Sequence, residues 1–553
     1  MIKLSLKALT FTTALAIVVG PCWAQDPPKP DEAPKEQEEQ AVAPKWNWIE
    51  VGYGSFGPSG NRHKFQQYSL HPNGPILRDF QFLHGATETQ PYFWKINASG
   101  SFNEIGFLNG QAIAANGRLN AKFHADDIAF YDPSPIPMPK SRRKHEGASV
   151  SYLVSHNTQV FAQVSDKRRV YEFEPPKDAR NDRTREMALG FGTAVAGGNA
   201  SVAYTNHRYY DRTFAQPHSE RSALASTFDY SWSDKGWLRA SGLWSTIEQD
   251  GMRDSKFRQF GVAAGFGIGE GTSLRVAASQ EDITLPDVEN AYVRQRFDTS
   301  ARLNHQFSNG SLQVGYRHRE AERLRNDHSF VDVPKWDRVD GRISYRLNEQ
   351  DRFTAKVWWE GLSKAATVVG LDGRSLFWDD RVRAQVRYER GSENFSGYAA
   401  YDFRYDQNAE RNAEVFGHHI ALGGSWNLPN GISCYAELAN EFFTAKGVID
   451  ETNISLDDYF PSVISLAAGA SWALDPKSTF SASINAYTTH NDNPLLVRDG
   501  NVRGIQLAAS YLRQFSDSQS IEVSLAPWSY RDKVDPTMDY KSTSILVTFR
   551  TKF

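Results

Sequence analysis

The fold is decided by Arg338-Val339-Asp340-Gly341-Arg342-Ile343-Ser344-Tyr345-Arg346-Leu347. Its odd positions carry Val, Gly, Ile, Tyr and Leu, and its even positions Arg, Asp, Arg, Ser and Arg. A repeat of two is the period of an extended strand, whose successive side chains point to opposite faces. Arg381-Val382-Arg383-Ala384-Gln385-Val386-Arg387-Tyr388 repeats the arrangement, as does Asp298 to Phe307 apart from His305 on its apolar row. Each segment has one face suited to hydrocarbon and one suited to water. That pattern predicts strands of a transmembrane barrel, apolar toward lipid and polar toward a wet lumen.

Working outward, such segments meet at tight polar turns. Ser155-His156-Asn157-Thr158, Ser308-Asn309-Gly310-Ser311, Leu428-Pro429-Asn430-Gly431 and Asp475-Pro476-Lys477-Ser478 are examples. Gly, Asn, Asp and Ser accept the dihedrals that tight turns require. Ten such turns run from Ser155 to Gln519, roughly 40 residues apart, with longer charged stretches between them. Glu172 to Arg183, Glu281 to Arg294 and Glu320 to Lys335 are the longer kind and read as outer loops. A β-propeller also repeats at about 40 residues, but with four short strands per period. Here each period holds two strands of spanning length, roughly 9 to 11 residues.

Ten turns imply twenty strands, and the C-terminal strand makes one more. Segments near Trp46–Ser55, Leu77–Phe82, Tyr92–Phe102, Gly110–Asn116 and Arg118–Phe130 supply the remainder. The expected fold class is therefore all-β: one large antiparallel barrel over 46–553, of 26 strands, with 24 as the second choice. Short turns belong on the periplasmic side and long loops outside. The last strand places Ile545, Val547, Phe549, Thr551 and Phe553 on one face. A strand ending in phenylalanine resembles the insertion signal read by the outer-membrane barrel assembly machinery, with Phe549 and Phe553 as its carriers. Tyr388, Tyr405, Trp426, Phe515 and Trp528 lie near strand ends, where aromatic rings suit the headgroup level.

Composition fits this reading. The chain has 553 residues, 40% hydrophobic and 23% charged, with a net charge of -3. The average is hydrophilic because half of every strand faces water. A near-neutral charge argues against nucleic-acid binding. Residues 1–24 read as a signal peptide, with Lys3 and Lys7 ahead of an apolar run and small residues before a cut after Ala24. Lipidation of Cys22 is the weaker alternative, since Gly20 and Pro21 stand where the usual leucine and small residue would be. Residues 25–45 are rich in Pro, Glu and Lys and read as a disordered periplasmic linker. With Cys22 in the signal, Cys434 is the remaining thiol and is expected as a small apolar residue on a strand face beside Ile432 and Ala436.

Catalytic signatures are scarce, and no enzyme activity is expected. The chain lacks a Gly-x-Ser-x-Gly elbow, a His-Glu-x-x-His pair and the Cys-x-x-Cys-His of c-type haem attachment. Catalytic, metal and cofactor residues are therefore expected to be none. Gly265 to Gly271 is rich in glycine but precedes a strand, without the helix N-terminus that cradles phosphate. His418 and His419 are adjacent on a strand and must face opposite ways. A barrel lipase with Ser, His and Asn on its outer wall would be a small barrel, and this one is large; a barrel enzyme or adhesin is the third and least favoured class. The residues with physical consequence are the expected lumen-facing set, Arg338, Asp340, Arg342, Arg346, Arg381, Arg383, Arg387, Asp402 and Arg404. They form either a wall of paired charges or a sleeve gripping a plug by charge-assisted hydrogen bonds.

Near the N-terminus Val51-Gly52-Tyr53-Gly54 is followed by Lys64-Phe65-Gln66-Gln67-Tyr68-Ser69-Leu70, Gly74-Pro75 and Phe80-Gln81-Phe82. This resembles the MtrB/PioB-type porins associated with decahaem cytochromes. Gln66 stands where that family has glycine, and the N-terminal Cys-x-x-Cys of some members is absent. The resemblance implies an outer-membrane sheath around a multihaem cytochrome, a conduit for extracellular electron transfer. Periplasmic and extracellular multihaem cytochromes would be its partners. Haem c would be carried by the partner, and the barrel would hold no cofactor of its own. The alternative is a diffusion or export channel for solutes or polysaccharide.

Overall fold

The computed structural model describes residues 47–61, 73–84, 93–101, 105–114, 117–130, 141–171, 182–195, 197–211, 218–233, 236–285, 292–324, 330–362, 378–447, 461–490 and 501–553. The expected signal segment, the linker and the Lys64–Leu70 element lie outside them. Twenty-six antiparallel strands of nine or more residues run from Trp48–Phe56 to Tyr540–Lys552, with a two-residue bridge at Ser59–Gly60. Each pairs with its sequence neighbours, and the first closes on the last, from Trp48 opposite Lys552 to Phe56 opposite Ser544. The sheet is a closed barrel of 26 strands, the first of the two totals expected from the turns, the C-terminal strand and the N-terminal segments together. Among the described residues the one helical element is a single 3-10 turn, Pro536–Met538. Closure leaves no edge, so every strand finds backbone partners on both sides.

All ten tight turns fall where strands reverse, for example Ser155 to Thr158, Phe307 to Gly310 and Ser516 to Gln519. They share one end of the barrel with the chain's closing contacts. The Lys552 amide donates to the Ser518 carbonyl at 2.7 Å, and the Phe553 amide to that of Asn47 at 2.8 Å. The Gly265–Gly271 run is explained by space rather than by a ligand. It spans the end of Ser255–Gly269 and a turn in which Gly271 has φ +73°, and a Cβ there would lie 2.4 Å from the Gln306 carbonyl oxygen.

One expectation fails on length. From Ser141 onward the strands have 12 to 17 residues, longer than the 9 to 11 needed to span. Residues 281–285, 292–294, 320–324 and 330–335, read from sequence as loop, are strand. The reason is that a ladder needs backbone partners, not apolar side chains. Past the apolar band, charge pairs between adjacent strands replace hydrophobic ones. Asp166 accepts from Arg183 Nε at 3.0 Å, and Lys335 Nζ donates to Glu320 at 3.1 Å.

The two faces are chemically distinct. Val262, Leu303, Val357, Leu422 and Val547 stand on outward rows and are largely exposed, Val262 at 54%. A belt of exposed apolar side chains on a closed barrel is unstable in water and stable in lipid. Tyr388, Tyr405, Trp426 and Phe515 share this outer parity. So does Cys434, opposite Trp426. Trp528 does not: it faces the lumen beside a packed cluster of Phe56, Val502, Tyr530 and Tyr540. Sequence proximity to a strand end left its face open; the register opposite Ser542 decides it. Phe549 and Phe553 lie on the outer side, exposed at 38% and 62%.

A face test follows. Replacing outward Val262 by Arg is expected to cost about 2–4 kcal/mol of folding in lipid vesicles, as for a cation near the bilayer midplane. The adjacent Ala263→Arg, pointing into water, should cost under about 0.5 kcal/mol. Equal urea midpoints for the two variants would refute the assignment of faces.

Candidate functional site in the lumen wall

The nine expected residues all stand on the parity opposite the apolar rows, on three strands: Phe330–Arg346, Asp380–Gly391 and Phe395–Asn408. Between the first two, Asp351–Leu362 supplies Lys356, Trp358 and Glu360 opposite them. Register brings Arg381 opposite Asp406, Arg383 opposite Arg404, and Gln385 opposite Asp402.

Asp406 organises the densest part. Its carboxylate is fully buried and accepts from Arg381 Nε at 3.1 Å, Arg383 Nη2 at 2.8 Å and Arg404 Nε at 2.6 Å. Glu360 lies 3.6 Å from Arg381. Three guanidiniums thus share two carboxylates. Arg383 also donates through Nη1 to the carbonyls of Val382 and Tyr405. Asp406 was not singled out from the sequence, because only the register shows three cations converging on it.

A second cluster repeats the plan on Tyr292–Phe307 and Gly310–Leu324. Asp298 is buried, accepts from Arg319 Nε at 2.7 Å and Arg317 Nη2 at 3.4 Å, and forms an ion pair with Arg296 at 2.9 Å. Glu281 pairs with Arg296 at 2.7 Å. This cluster was not singled out because its arginines converge on Asp298 only through the register of two strands, and Glu281 lies in a stretch read as loop. Between the two clusters sit tryptophans with cations over their faces. Arg319 lies 4.6 Å and Arg317 5.2 Å from the Trp336 ring centre. Arg338 lies 4.3 Å and Arg383 5.3 Å from that of Trp358. Cation–π contact holds each guanidinium against the wall.

The other expected residues fall lower or beside this band. Arg342 is opposite Lys356, and Asp340 approaches Arg302 at 3.8 Å. Arg387 binds Glu389 at 2.8 Å and lies over Tyr398. Arg346 is near the turn end, opposite Arg352. Asp402 pairs with His419 at 3.1 Å, while His418 faces outward and stacks on Phe442. The two histidines do part to opposite faces. Among the described residues no group of three or more His, Cys, Asp or Glu is placed to hold a metal ion.

The barrel's width frames this wall. Twenty-six strands about 4.8 Å apart, tilted about 40°, give a backbone diameter of roughly 50 Å. Removing a side-chain layer leaves roughly 30 Å, which inward side chains do not fill. An apolar belt outside, a charged wall inside and a closed antiparallel sheet leave one environment. The chain is an outer-membrane β-barrel.

No protein-family profile matches the sequence, and no curated protein is similar to it. Similar solved structures include the siderophore receptor PirA from Pseudomonas aeruginosa, at 11% identity and a TM-score of 0.46 over 81% of this chain and 87% of that one. The FrpB iron transporter from Neisseria meningitidis aligns at 10% identity and a TM-score of 0.46, over 93% of this chain and 82% of that one. The alcaligin receptor FauA from Bordetella pertussis aligns at 11% and 0.43, over 92% and 76%. These likenesses are of large barrels in general, and no ligand is carried over from them.

Proposed function

We propose that this barrel is a porin-like outer-membrane sheath enclosing a multihaem c-type cytochrome, which carries electrons across the membrane for extracellular electron transfer. The observation that carries the reading is the lumen. Its free width, roughly 30 Å, is about the size of a small folded domain. The N-terminal resemblance given above supports it independently. Under this reading the barrel does no redox chemistry. It excludes lipid, holds the cytochrome in the membrane and leaves electron transfer to the partner's haems.

The alternative, a diffusion or export channel, is favoured by the water-compatible charge pairs lining the wall. Purification of the barrel from outer membranes, followed by haem staining, separates the two. Co-purification of a haem protein in stoichiometric amount is the expected result. Absence of haem protein under mild detergent, with open conductance in the same preparation, would sink the sheath and leave the channel.

A further inference from the structure

We propose that the arginine–tryptophan band on the six strands between residues 292 and 408 is a docking wall for an acidic protein surface lodged in the lumen. It rests on the sheath reading and specifies which side of the lumen the occupant meets and by what chemistry.

Charge asymmetry is the first argument. In each Asp-centred cluster three guanidiniums face two carboxylates, and on the two strands between them Arg338, Arg342 and Lys356 outnumber Asp340. Positive charge is therefore in excess along the band, although the whole chain is at -3. Other arcs differ: Glu437 and Glu441 face the lumen on Ile432–Lys446, and near the closure Glu50, Asp79 and Glu522 surround Arg78 and Arg550. The excess is local to one wall.

Shape is the second. Six strands at about 4.8 Å spacing make a band roughly 30 Å wide, matching an extended surface rather than a point ligand. Its guanidiniums are held by buried carboxylates and indole faces yet remain open to the lumen, Arg317 at 46% and Arg404 at 43%. Arginine and tryptophan held in place are the side chains that dominate protein interfaces. Range is the third. At physiological salt the field decays over about 8 Å, so ions in the middle of a lumen roughly 30 Å across pass unsorted. A macromolecule pressed to the wall feels it fully.

The test has two arms. In the first, the barrel is purified with its haem-stained occupant and washed with rising NaCl. Arg317→Glu/Arg338→Glu/Arg404→Glu is expected to weaken retention about tenfold or more at 0.15 M salt, given the size of charge-pair couplings at interfaces. The milder triple Gln variant should fall between it and wild type. Ser483→Glu/Gln506→Glu, on another arc of the wall, should change retention less than about twofold. Full retention by the triple Glu variant would overturn the docking wall while leaving the sheath intact. No occupant in any preparation would overturn both.

The second arm needs no occupant. In planar bilayers, poly-L-glutamate added to the empty barrel is expected to block current at concentrations at least tenfold below poly-L-lysine, and the Glu variant should erase the difference. Equal block by the two polymers would overturn the proposal. So would tighter block by an acidic polysaccharide such as alginate than by polyglutamate, which would point to an export cargo instead.

Discussion

Inserted into a planar bilayer without a partner, the barrel is expected to open in steps about two to four times those of 16- to 18-stranded porins in the same salt. Diameter grows roughly linearly with strand number, so backbone cross-section grows with its square. The side-chain layer has a fixed thickness, so the open fraction grows faster still. All 26 strands are present and the ladder closes without a gap, from Trp48 to Phe56 against Ser544 to Lys552. Reconstitution with the occupant should then abolish most of this current. Steps no larger than a porin's would mean that the chain's own loops fill the lumen, and the case for an enclosed protein would fall with them.

Asp406→Asn is expected to destabilise the barrel by about 2–3 kcal/mol, below the range for breaking a fully buried ion pair because the three arginines keep part of their water contact. The carboxylate has no exposed surface and takes hydrogen bonds from Arg381, Arg383 and Arg404. Asparagine offers one oxygen where two were used and turns an amide toward cations. Three guanidiniums then repel one another across adjacent strands. Arg404→Gln, which removes one exposed partner and relieves that repulsion, should cost under about 1 kcal/mol. Urea midpoints of folding into lipid vesicles measure both. A loss at Asp406 no greater than at Arg404 would refute its place as the organising charge.

How much of this was legible beforehand depends on the range of the interaction. Alternation in Arg338–Leu347 and the turn at Ser308–Ser311 are local facts: a strand's period is two, and glycine and asparagine mark reversals. From them the closed barrel, its 26 strands and the opposite facing of His418 and His419 could be read. The outward row Ile545, Val547 and Phe549 was readable in the same way. Strand ends were not. Glu320 and Lys335 look like loop alone, yet their strands run on through them where each supplies the other's counter-charge.

The sequence by itself determined the architecture and which residues can face water, because both follow from spacing along one strand. Tertiary structure alone decided which lumen charges meet. Asp298 and Asp406 become centres only when register sets the arginines of a neighbouring strand beside them, and Trp528 turns inward only through its pairing with Ser542. Cross-strand partners lie tens of residues apart, and a shift of one position would turn each of these side chains to the opposite face.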